Sequence, residues 1–274
     1  MSIVQNKWHG LRAILSFDNS LQILLNRLLF RSDVMVYRYK GACILIDHSR
    51  GDAAGTRACI ASRMYRQYLP GMQLDRSGIV VCDLGANGGG FPLMLKSEGY
   101  DIASLTAVEM HPATYARLQY NMYENFGSQA RCLCQAVGGK DADVVLYLGR
   151  GSTADSLYDS EPAEGKIKHA VSMLTLQSLL RQYVPNDIDI LKMDVEGAEY
   201  DVFLGGMPRD VLSRCRYLII EIHERPHRHR TEVTHEIERC GFEELMRDTK
   251  LHPDIYCYRN YRLAGRKRHG VLPV

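Results

Sequence analysis

A glycine-rich segment between residues 81 and 91 is the strongest candidate for ligand chemistry. It reads Val81-Cys82-Asp83-Leu84-Gly85-Ala86-Asn87-Gly88-Gly89-Gly90-Phe91. Glycines let the backbone adopt positive φ and approach a ligand closely, and the first turn of a following helix leaves its N–H groups free. Asp83, which ends the apolar run, would repel a phosphate and attract an ammonium group. The segment therefore predicts a site for a cationic ligand, and the alternative is a glycine-rich turn that holds no ligand.

S-adenosylmethionine fits this chemistry, because its amino-acid end carries an ammonium group beside a cationic sulfonium. Glu109, followed by Met110, ends the next apolar run, where an acid binds the ribose hydroxyls of nucleotides in α/β folds. The alternative for Glu109 is an acid ahead of a helix that begins at Pro112. Gln135 and Ala136 end the third run and are placed to flank the adenine, although a solvated Gln135 explains the sequence equally well.

Three further polar residues end the fourth and fifth apolar runs. Asp194 ends the run over 188–194 and is also a candidate cofactor contact, while Glu221 and His223 share one face of the next strand because side chains alternate. Two carboxylates and a histidine can provide a catalytic base, bind a divalent metal ion or form a hydrogen-bonded polar cluster, and the spacing leaves all three open. Glu196 and Glu199 are explained at least as well as stabilisers of a helix N-terminus.

These residues need a parallel sheet to bring them together. From residue 79 onward, short apolar runs alternate with amphipathic helices, which predicts a doubly wound, mostly parallel α/β sheet. The predicted strands are 79–84, 105–109, 131–137, 188–194, 217–223, 243–247 and 255–259, and the predicted helices lie near 91–98, 112–125, 198–204 and 231–240. The 248–254 connection is too short for a parallel crossover, so the last strand is predicted to be antiparallel. An insertion over 142–176 contains two strand-like runs, 144–148 and 170–174.

Residues 1–75 follow a different pattern and predict a cap, or lid, on the substrate side of the domain. Leucines at helical spacing, with a break and cap at Asn19, precede a hairpin and a helix over 53–68. The leucines are expected to pack on the protein's own core, with a second subunit or a membrane surface as alternatives. The predicted units are the cap over 1–75, a catalytic domain over 76–262 and a basic tail over 263–274.

Composition and charge exclude several classes of protein. Lys plus Arg is 34 and Asp plus Glu is 32, so the net charge is only +2, and 46% of the residues are hydrophobic. These values argue against disorder and against electrostatic binding to nucleic acid. The sequence predicts neither a signal peptide nor a transmembrane segment. The eight cysteines include no CxxC pair and are expected to be reduced, which predicts a cytoplasmic protein.

Several motifs resemble those of the FkbM-type methyltransferases. The stretches are Asp83-Leu84-Gly85-Ala86-Asn87-Gly88-Gly89, Glu109-Met110-His111-Pro112 with Asn121, and Leu191-Lys192-Met193-Asp194-Val195-Glu196-Gly197-Ala198-Glu199-Tyr200-Asp201-Val202. The resemblance implies a class I, Rossmann-like, S-adenosylmethionine-dependent enzyme with a seven-stranded sheet in the order 3-2-1-4-5-7-6. It also implies O-methylation of a hydroxyl on a natural product or glycan-like small molecule, with Asp194 or His223 accepting the proton. The sequence departs from the family at Gly88–Gly90, where a bulky residue is usual, and this predicts a more flexible loop.

The sequence is also compatible with other functions. The Gly85-x-x-Gly88 spacing and Asp83 argue against a nucleotide-cofactor oxidoreductase, and a non-catalytic module of the same fold would bind the cofactor without methylating an acceptor. A methyltransferase acting on RNA or DNA bases is disfavoured, because no Pro-Pro-Tyr or Pro-Pro-Phe follows the fourth strand. The basic loop from Arg225 to Arg230 is either a site for an acidic substrate or, more simply, a solvated loop.

Overall fold

The computed structural model describes residues 14–149, 151, 155–158, 160–184, 186–207 and 209–263. The predicted basic tail therefore lies outside the described residues from position 264 onward. The strands are β1 (Val34–Tyr39), β2 (Ala42–Asp47), β3 (Ile79–Leu84), β4 (Ile102–Val108), β5 (Ala130–Leu133), β6 (Ala136–Gly138), β7 (Ala142–Leu148), β8 (Ile167–Thr175), β9 (Ile188–Met193), β10 (Cys215–Glu221), β11 (Phe242–Arg247) and β12 (Ile255–Asn260). The α-helices are α1 (Ser20–Leu25), α2 (Thr56–Ala61), α3 (Gly90–Ser97), α4 (Pro112–Phe126), α5 (Leu176–Tyr183), α6 (Glu199–Leu204) and α7 (Arg230–Arg239).

Seven strands form the central sheet in the order β11-β12-β10-β9-β3-β4-β5. The five inner and near-edge strands from β10 to β5 pair in parallel, whereas β12 is antiparallel to both of its neighbours. Numbered along the chain, this is 3-2-1-4-5-7-6, so the predicted order and the antiparallel last strand are confirmed. The register sets Asp83 on β3 opposite Lys192 on β9, so both strands end at the same edge. Ligands of doubly wound sheets bind at this carboxyl edge.

Two elements of the domain differ from the prediction. The run over 131–137 is not one strand, because β5 ends at Leu133 in the central sheet and β6 begins at Ala136 in a separate sheet. Helix α5 was not predicted, although its signals are present in the sequence. The Thr175 side chain accepts the N–H of Ser178 as an N-cap, and the leucines that follow have helical spacing.

The insertion folds as a three-stranded sheet in the order β6-β8-β7. β7 and β8 pair antiparallel over 142–173, and β6 pairs in parallel with the end of β8. Both predicted strand-like runs are confirmed within longer strands. The loop between β7 and β8 returns to the carboxyl edge of the central sheet, where Asp155 and Leu157 line a cavity.

The N-terminal hairpin of β1 and β2 is confirmed, and it is fixed to α4 by two asparagines. Asn121 Oδ1 accepts the N–H of Leu45 at 2.6 Å, and Asn125 Oδ1 accepts the N–H of Cys43 at 2.9 Å. Residues four apart on a helix face the same way, as do residues two apart on a strand. The helix therefore supplies side-chain partners to the free edge of β2.

The predicted helix over 53–68 is wrong in its extent. α2 ends at Ala61 because Ser62 adopts an extended conformation, with φ of −96° and ψ of 179°. A short 3-10 helix then covers Arg66–Gly71. The break between the two helices places Tyr65 at the carboxyl edge of the sheet, where it lines the same cavity.

The expected packing of the N-terminal apolar stripe on the core is confirmed only in part: Ile14 and Leu24 pack there, and Leu11 lies outside the described residues. Leu21, Leu25, Leu28 and Leu29 are 45–76% exposed, whereas Ile23 on the same segment is fully buried. α1 lies against β1 through the side that carries Ile23, which leaves Leu21 and Leu25 outside the core. Leu28 and Leu29 follow on a short π-helix over Asn26–Phe30 that has no buried residue. These leucines form an exposed apolar surface. The alternatives, that this surface packs on a second subunit or on a membrane, stay predictions.

The N-terminal region and the central sheet share one hydrophobic core. Ile44 and Ile60 pack in the same cluster as Phe91 and Met94 of α3. Across the described part of the chain, no helix combines the length and apolar character needed to cross a bilayer. The eight cysteines are free thiols.

Candidate active site

A cavity of about 290 Å³ opens at the carboxyl edge of β3, β4 and β9. Most residues predicted to contact the cofactor line it, namely Gly85, Ala86, Asn87, Phe91, Glu109, Met110, Gln135, Ala136 and Asp194. Of the predicted catalytic residues, Glu221 lines the wall as well, whereas His223 stands behind it among carboxylates. The N-terminal region adds Thr56 and Tyr65, which the sequence analysis did not single out.

The glycine loop is closely packed against its neighbours, and its flexibility stays a prediction. Gly85 has φ of +71°, and a side chain there would overlap the carbonyl oxygen of Asp194, so the position requires glycine. A Cβ on Gly88 would overlap the hydroxyl of Thr56, which accepts the Gly88 N–H at 3.1 Å. A Cβ on Gly90 would meet α2 as well. Gly88 and Gly90 therefore let α2 pack directly on the loop, while a Cβ on Gly89 would meet Met122 of α4.

Glu109 connects the end of β4 to the glycine loop. Its Oε2 accepts the N–H of Asn87 at 3.0 Å, and its Oε1 accepts the N–H of His111 at 2.8 Å. Burial raises the pKa of Glu109 to about 7, although both backbone donors oppose the rise. A carboxylate oxygen that accepts one hydrogen bond retains a lone pair for another. The position is thus compatible with the predicted contact to ribose hydroxyls.

Asp83 does not face the cavity. It is fully buried, and its Oδ1 lies 3.3 Å from Nζ of Lys192. The same Nζ donates to the Gly85 carbonyl at 2.9 Å and lies 3.4 Å from Oδ2 of Asp194. Burial opposes the charge of Lys192, but the carboxylates of Asp83 and Asp194 hold its pKa above the usual value. Lys192 therefore balances the charge of Asp83, and Asp194 is the acid that this cluster presents to the cavity.

His223 is surrounded by carboxylates. Its Nδ1 lies 3.1 Å from Oε1 of the fully buried Glu199. Its Nε2 lies 3.3 Å from Glu196, 3.8 Å from Asp194 and 3.9 Å from Glu221. Burial opposes the charge of His223, but the hydrogen bond to Glu199 and the nearby carboxylates raise its pKa to about 9. At neutral pH the imidazole is therefore a cation, held in place by Glu199.

Glu221 and Tyr65 complete this end of the cavity. Burial and the Asp194 carboxylate raise the pKa of Glu221 to about 7. The Tyr65 hydroxyl donates towards Asp194 Oδ2 at 3.4 Å and Glu221 Oε2 at 3.5 Å. The Tyr65 ring stands edge-on to Phe91, with centroids 5.5 Å apart. The site thus contains a phenol between two carboxylates. No local pattern predicts this contact, because Tyr65 lies more than 100 residues from either acid.

A metal ion stays one of the alternatives for this cluster. Asp194, Glu196 and His223 each offer one ligand atom, and these atoms lie within 4.8 Å of one another. Carboxylate oxygens and an imidazole nitrogen suit a divalent cation, and the Glu199 contact resembles the outer carboxylates that orient metal-binding histidines. The same distances describe a protonated histidine paired with its acids.

The basic loop after β10 is ion-paired within the chain. Arg225 Nη1 lies 2.8 Å from Oδ1 of Asp201, and Arg228 Nη1 lies 3.0 Å from Oε2 of Glu232. These partners leave less positive charge for an acidic substrate. The arrangement agrees with the simpler interpretation of a solvated basic loop.

Comparison with known proteins identifies the family. The family model of the methyltransferase FkbM domain matches residues 83–244. The chain belongs to the FkbM methyltransferase family. The match begins at Asp83 in β3 and ends in β11, so the FkbM domain includes the glycine loop, Glu109 and the Asp194–Glu221–His223 cluster. Thr56 and Tyr65 lie outside the matched range but line the same cavity.

Individual relatives of this FkbM methyltransferase are also named as methyltransferases. Methyltransferase sdnD of Sordaria araneosa is 30% identical over 205 residues, which cover 64% of this chain and 78% of that protein. Methyltransferase 1 of Beauveria bassiana (strain ARSEF 2860) is 29% identical over 143 residues, or 46% of this chain and 57% of that protein. The crystal structure of methyltransferase FkbM from Methylobacillus flagellatus KT aligns with a TM-score of 0.46 and 17% identity, covering 72% of this chain and 47% of that one. The chain thus spans about half of that structure.

Proposed function

We propose that this methyltransferase uses S-adenosylmethionine and methylates a hydroxyl group of a neutral natural-product or glycan-like small molecule. The observation that carries the proposal is the pair of carboxylates, Asp194 and Glu221, in the wall of the cavity that also contains the glycine loop and Glu109. One end of the cavity thus has acids that can take a proton, and the other has groups suited to a nucleoside.

The residues of the cavity fit S-adenosylmethionine. Asp194 offers a negative charge for the ammonium group, and Glu109 offers acceptors for the ribose hydroxyls. Gln135 and Ala136 line the part of the cavity where the adenine would lie. When bound, S-adenosylmethionine would supply an electrophilic methyl group: the acceptor oxygen would form the new C–O bond as the C–S bond breaks, and S-adenosylhomocysteine would be left.

Glu221 is the best candidate for the base. A hydroxyl must lose its proton as its oxygen attacks, and a base works best when its pKa lies near the working pH. Glu221, whose pKa is about 7, meets that condition, whereas His223 with a pKa of about 9 is already protonated. We assign His223 to positioning the carboxylates of Asp194 and Glu196, and Tyr65 to directing its hydroxyl at Asp194 and Glu221.

The charge of this wall favours a neutral acceptor. Asp194, Glu196 and Glu221 line the cavity together, and they would repel a phosphate or carboxylate on the substrate. Carboxylates are also good acceptors for the hydroxyl groups of sugars and polyols. These features support a small hydroxylated acceptor rather than a nucleic acid.

Two measurements test the proposal. Calorimetry is expected to detect binding of S-adenosylhomocysteine, and labelled S-adenosylmethionine is expected to transfer its methyl group to a member of a panel of hydroxylated small molecules and sugars. Glu221→Gln should lower the rate by about 10²–10⁴-fold without changing cofactor affinity. Glu224→Gln is the matched control, because that side chain is 88% exposed and lies three residues away.

The pH dependence distinguishes the candidate bases. If Glu221 is the base, kcat/KM should fall on the acid side with an apparent pKa near 7. An acid limb near 9 that vanishes in His223→Ala would assign the base to His223 instead. Binding of the cofactor with no methylation of any acceptor would favour the non-catalytic module.

A further inference from the structure

Asp155 is a buried carboxylate in the loop between β7 and β8. Only 6% of the residue is exposed, and it lines the cavity. Its Oδ1 accepts the N–H of Gly149 at 2.7 Å, while its Oδ2 has no hydrogen-bond donor among the residues that the structure describes. A buried acceptor without a donor costs free energy and is rare in folded proteins. An oxygen of this kind in a cavity wall indicates a donor on the ligand.

The nearby histidine does not supply that donor. His111 Nε2 lies 3.9 Å from Asp155 Oδ2, which is too far for a hydrogen bond. The same Nε2 lies 3.0 Å from the Gly149 carbonyl, which can only accept, so its hydrogen is used there. The other nitrogen, Nδ1, accepts the N–H of Ala113 at the start of α4. Both ring nitrogens are therefore occupied.

The position of Asp155 points to the base of the nucleoside. Its carboxylate is close enough to Glu109 to contribute to the raised pKa of that acid, and Glu109 is the group assigned to the ribose. Gln135, in the same wall, has an Oε1 that is also buried without a donor within the described residues. Two unpaired acceptors beyond the ribose acid would be satisfied by a ligand group that carries two donor hydrogens, as an amino group does.

The loop that carries Asp155 is anchored next to the site. The Ser156 hydroxyl donates to the Glu196 carbonyl at 2.7 Å, and the Tyr158 hydroxyl donates to Asp201 at 2.7 Å. The Arg225 guanidinium lies 4.0 Å from the centre of the Tyr158 ring. These contacts tie the loop to the turn after β9 and to α6, next to Asp155, whose Oδ1 already accepts the N–H of Gly149.

We infer that Asp155 is a specificity-determining residue for the cofactor and that its Oδ2 accepts a hydrogen bond from the 6-amino group of adenine. This inference rests on the proposed function, because it assumes that the cavity holds S-adenosylmethionine. The amino group has two N–H bonds, one for Asp155 and one for Gln135 Oε1. The other common purine bases differ from adenine at this position, so an acceptor here selects adenine.

The test compares two ligands by calorimetry, S-adenosylhomocysteine and its 6-deamino analogue, in which a hydrogen atom replaces the amino group. The wild type is expected to bind S-adenosylhomocysteine about 10- to 100-fold more tightly, the range for a hydrogen bond to a charged group. Asp155→Ala should lose most of this preference, because only the hydrogen bond to the uncharged Gln135 Oε1 remains. Asp155→Asn keeps an acceptor oxygen and should retain part of the preference. Asp143→Ala is the control, because Asp143 lies on the exposed side of β7 in the same insertion.

Each outcome has a distinct meaning. If Asp155→Ala keeps the full preference for the amino group, the inference is overturned even though the cofactor binds. If the wild type binds neither ligand, the proposed function fails first. The thermal midpoint of each variant shows whether it is folded, and Asp155→Asn carries the test if the alanine variant does not fold.

Discussion

Glu199 holds His223 from beneath the active site: its Oε1 lies 3.1 Å from His223 Nδ1 and also accepts the N–H of Val195 at 3.1 Å. The carboxylate is fully buried, so this contact is not screened by water. Glu199 therefore links the turn after β9 to the end of β10, and it fixes which ring nitrogen faces Asp194 and Glu196. Its position at the start of α6 had suggested only stabilisation of a helix N-terminus.

Replacing Glu199 should change the titration of His223. The buried carboxylate is the largest of the influences that raise the pKa of His223 to about 9 against the effect of burial. In Glu199→Gln that pKa is expected to fall towards the ordinary value of about 6.5. Histidine NMR titrations measure the change directly. Glu161→Gln, on an exposed loop, is the control and should leave the titration as it is; an unchanged pKa in Glu199→Gln would show that the contact does not govern the imidazole.

The titrations of Glu109 and His223 should lower the stability of the protein as the pH rises from about 5 to 9, against a smaller opposing contribution from His48, whose pKa burial lowers to about 4. The folded-state pKa of Glu109 is raised from 4.5 to about 7, so its contribution is complete below pH 4.5 and is lost as the pH rises through 7. The contribution of His223 is complete below pH 6.5 and is lost through about 9. Denaturant unfolding at several pH values tests this. Glu109→Gln should remove about 2–3 kcal/mol of the change between pH 5 and 8, and an identical pH profile in the variant would refute it.

Removing the Glu109 carboxylate should weaken cofactor binding. Glu109→Ala is expected to reduce the affinity for S-adenosylhomocysteine by about 1–3 kcal/mol, because it loses acceptors for the ribose and for the Asn87 N–H. Calorimetry measures the change, and Glu124→Ala, an exposed acid on α4, is the control. Unchanged affinity in Glu109→Ala would rule out the ribose assignment.

The fit between α2 and the glycine loop should make Gly88 intolerant of a methyl group. Gly88→Ala would press a Cβ into the Thr56 hydroxyl and is expected to destabilise the fold by about 1–3 kcal/mol. Gly71→Ala is the matched control, since the nearest atoms to a Cβ there are 3.5 Å away. Chemical denaturation measures both variants.

A double variant distinguishes the clash between a Cβ at position 88 and Thr56 from a general effect of changing the glycine loop. In Gly88→Ala with Thr56→Ala the obstructing side chain is gone, so the combined loss should be smaller than the sum of the two single losses. Additive losses would mean that the two residues do not compete for the same space.

The sequence by itself determined the parts of this protein that depend on local patterns. Strand β3 has the predicted bounds. Glu109 and Asp194, predicted as the last residues of their strands, directly follow β4 and β9, because buried parallel strands are continuous apolar runs that end in polar residues. The resemblance to the FkbM family implied the order of the strands. The local patterns did not predict the break between β5 and β6 at Gln135 or the end of α2 before Ser62. Both depend on where the chain must turn to reach other elements.

The tertiary structure alone decided which distant side chains meet. Tyr65 reaches Asp194 from the N-terminal region, and Asp155 reaches the cavity from the insertion. No spacing predicts such contacts, because they are set by the packing of whole elements on the sheet rather than by periodicity along the chain. The same reason explains the exposed Leu28: helical spacing shows that a face is apolar, but only the fold decides whether a core lies opposite it.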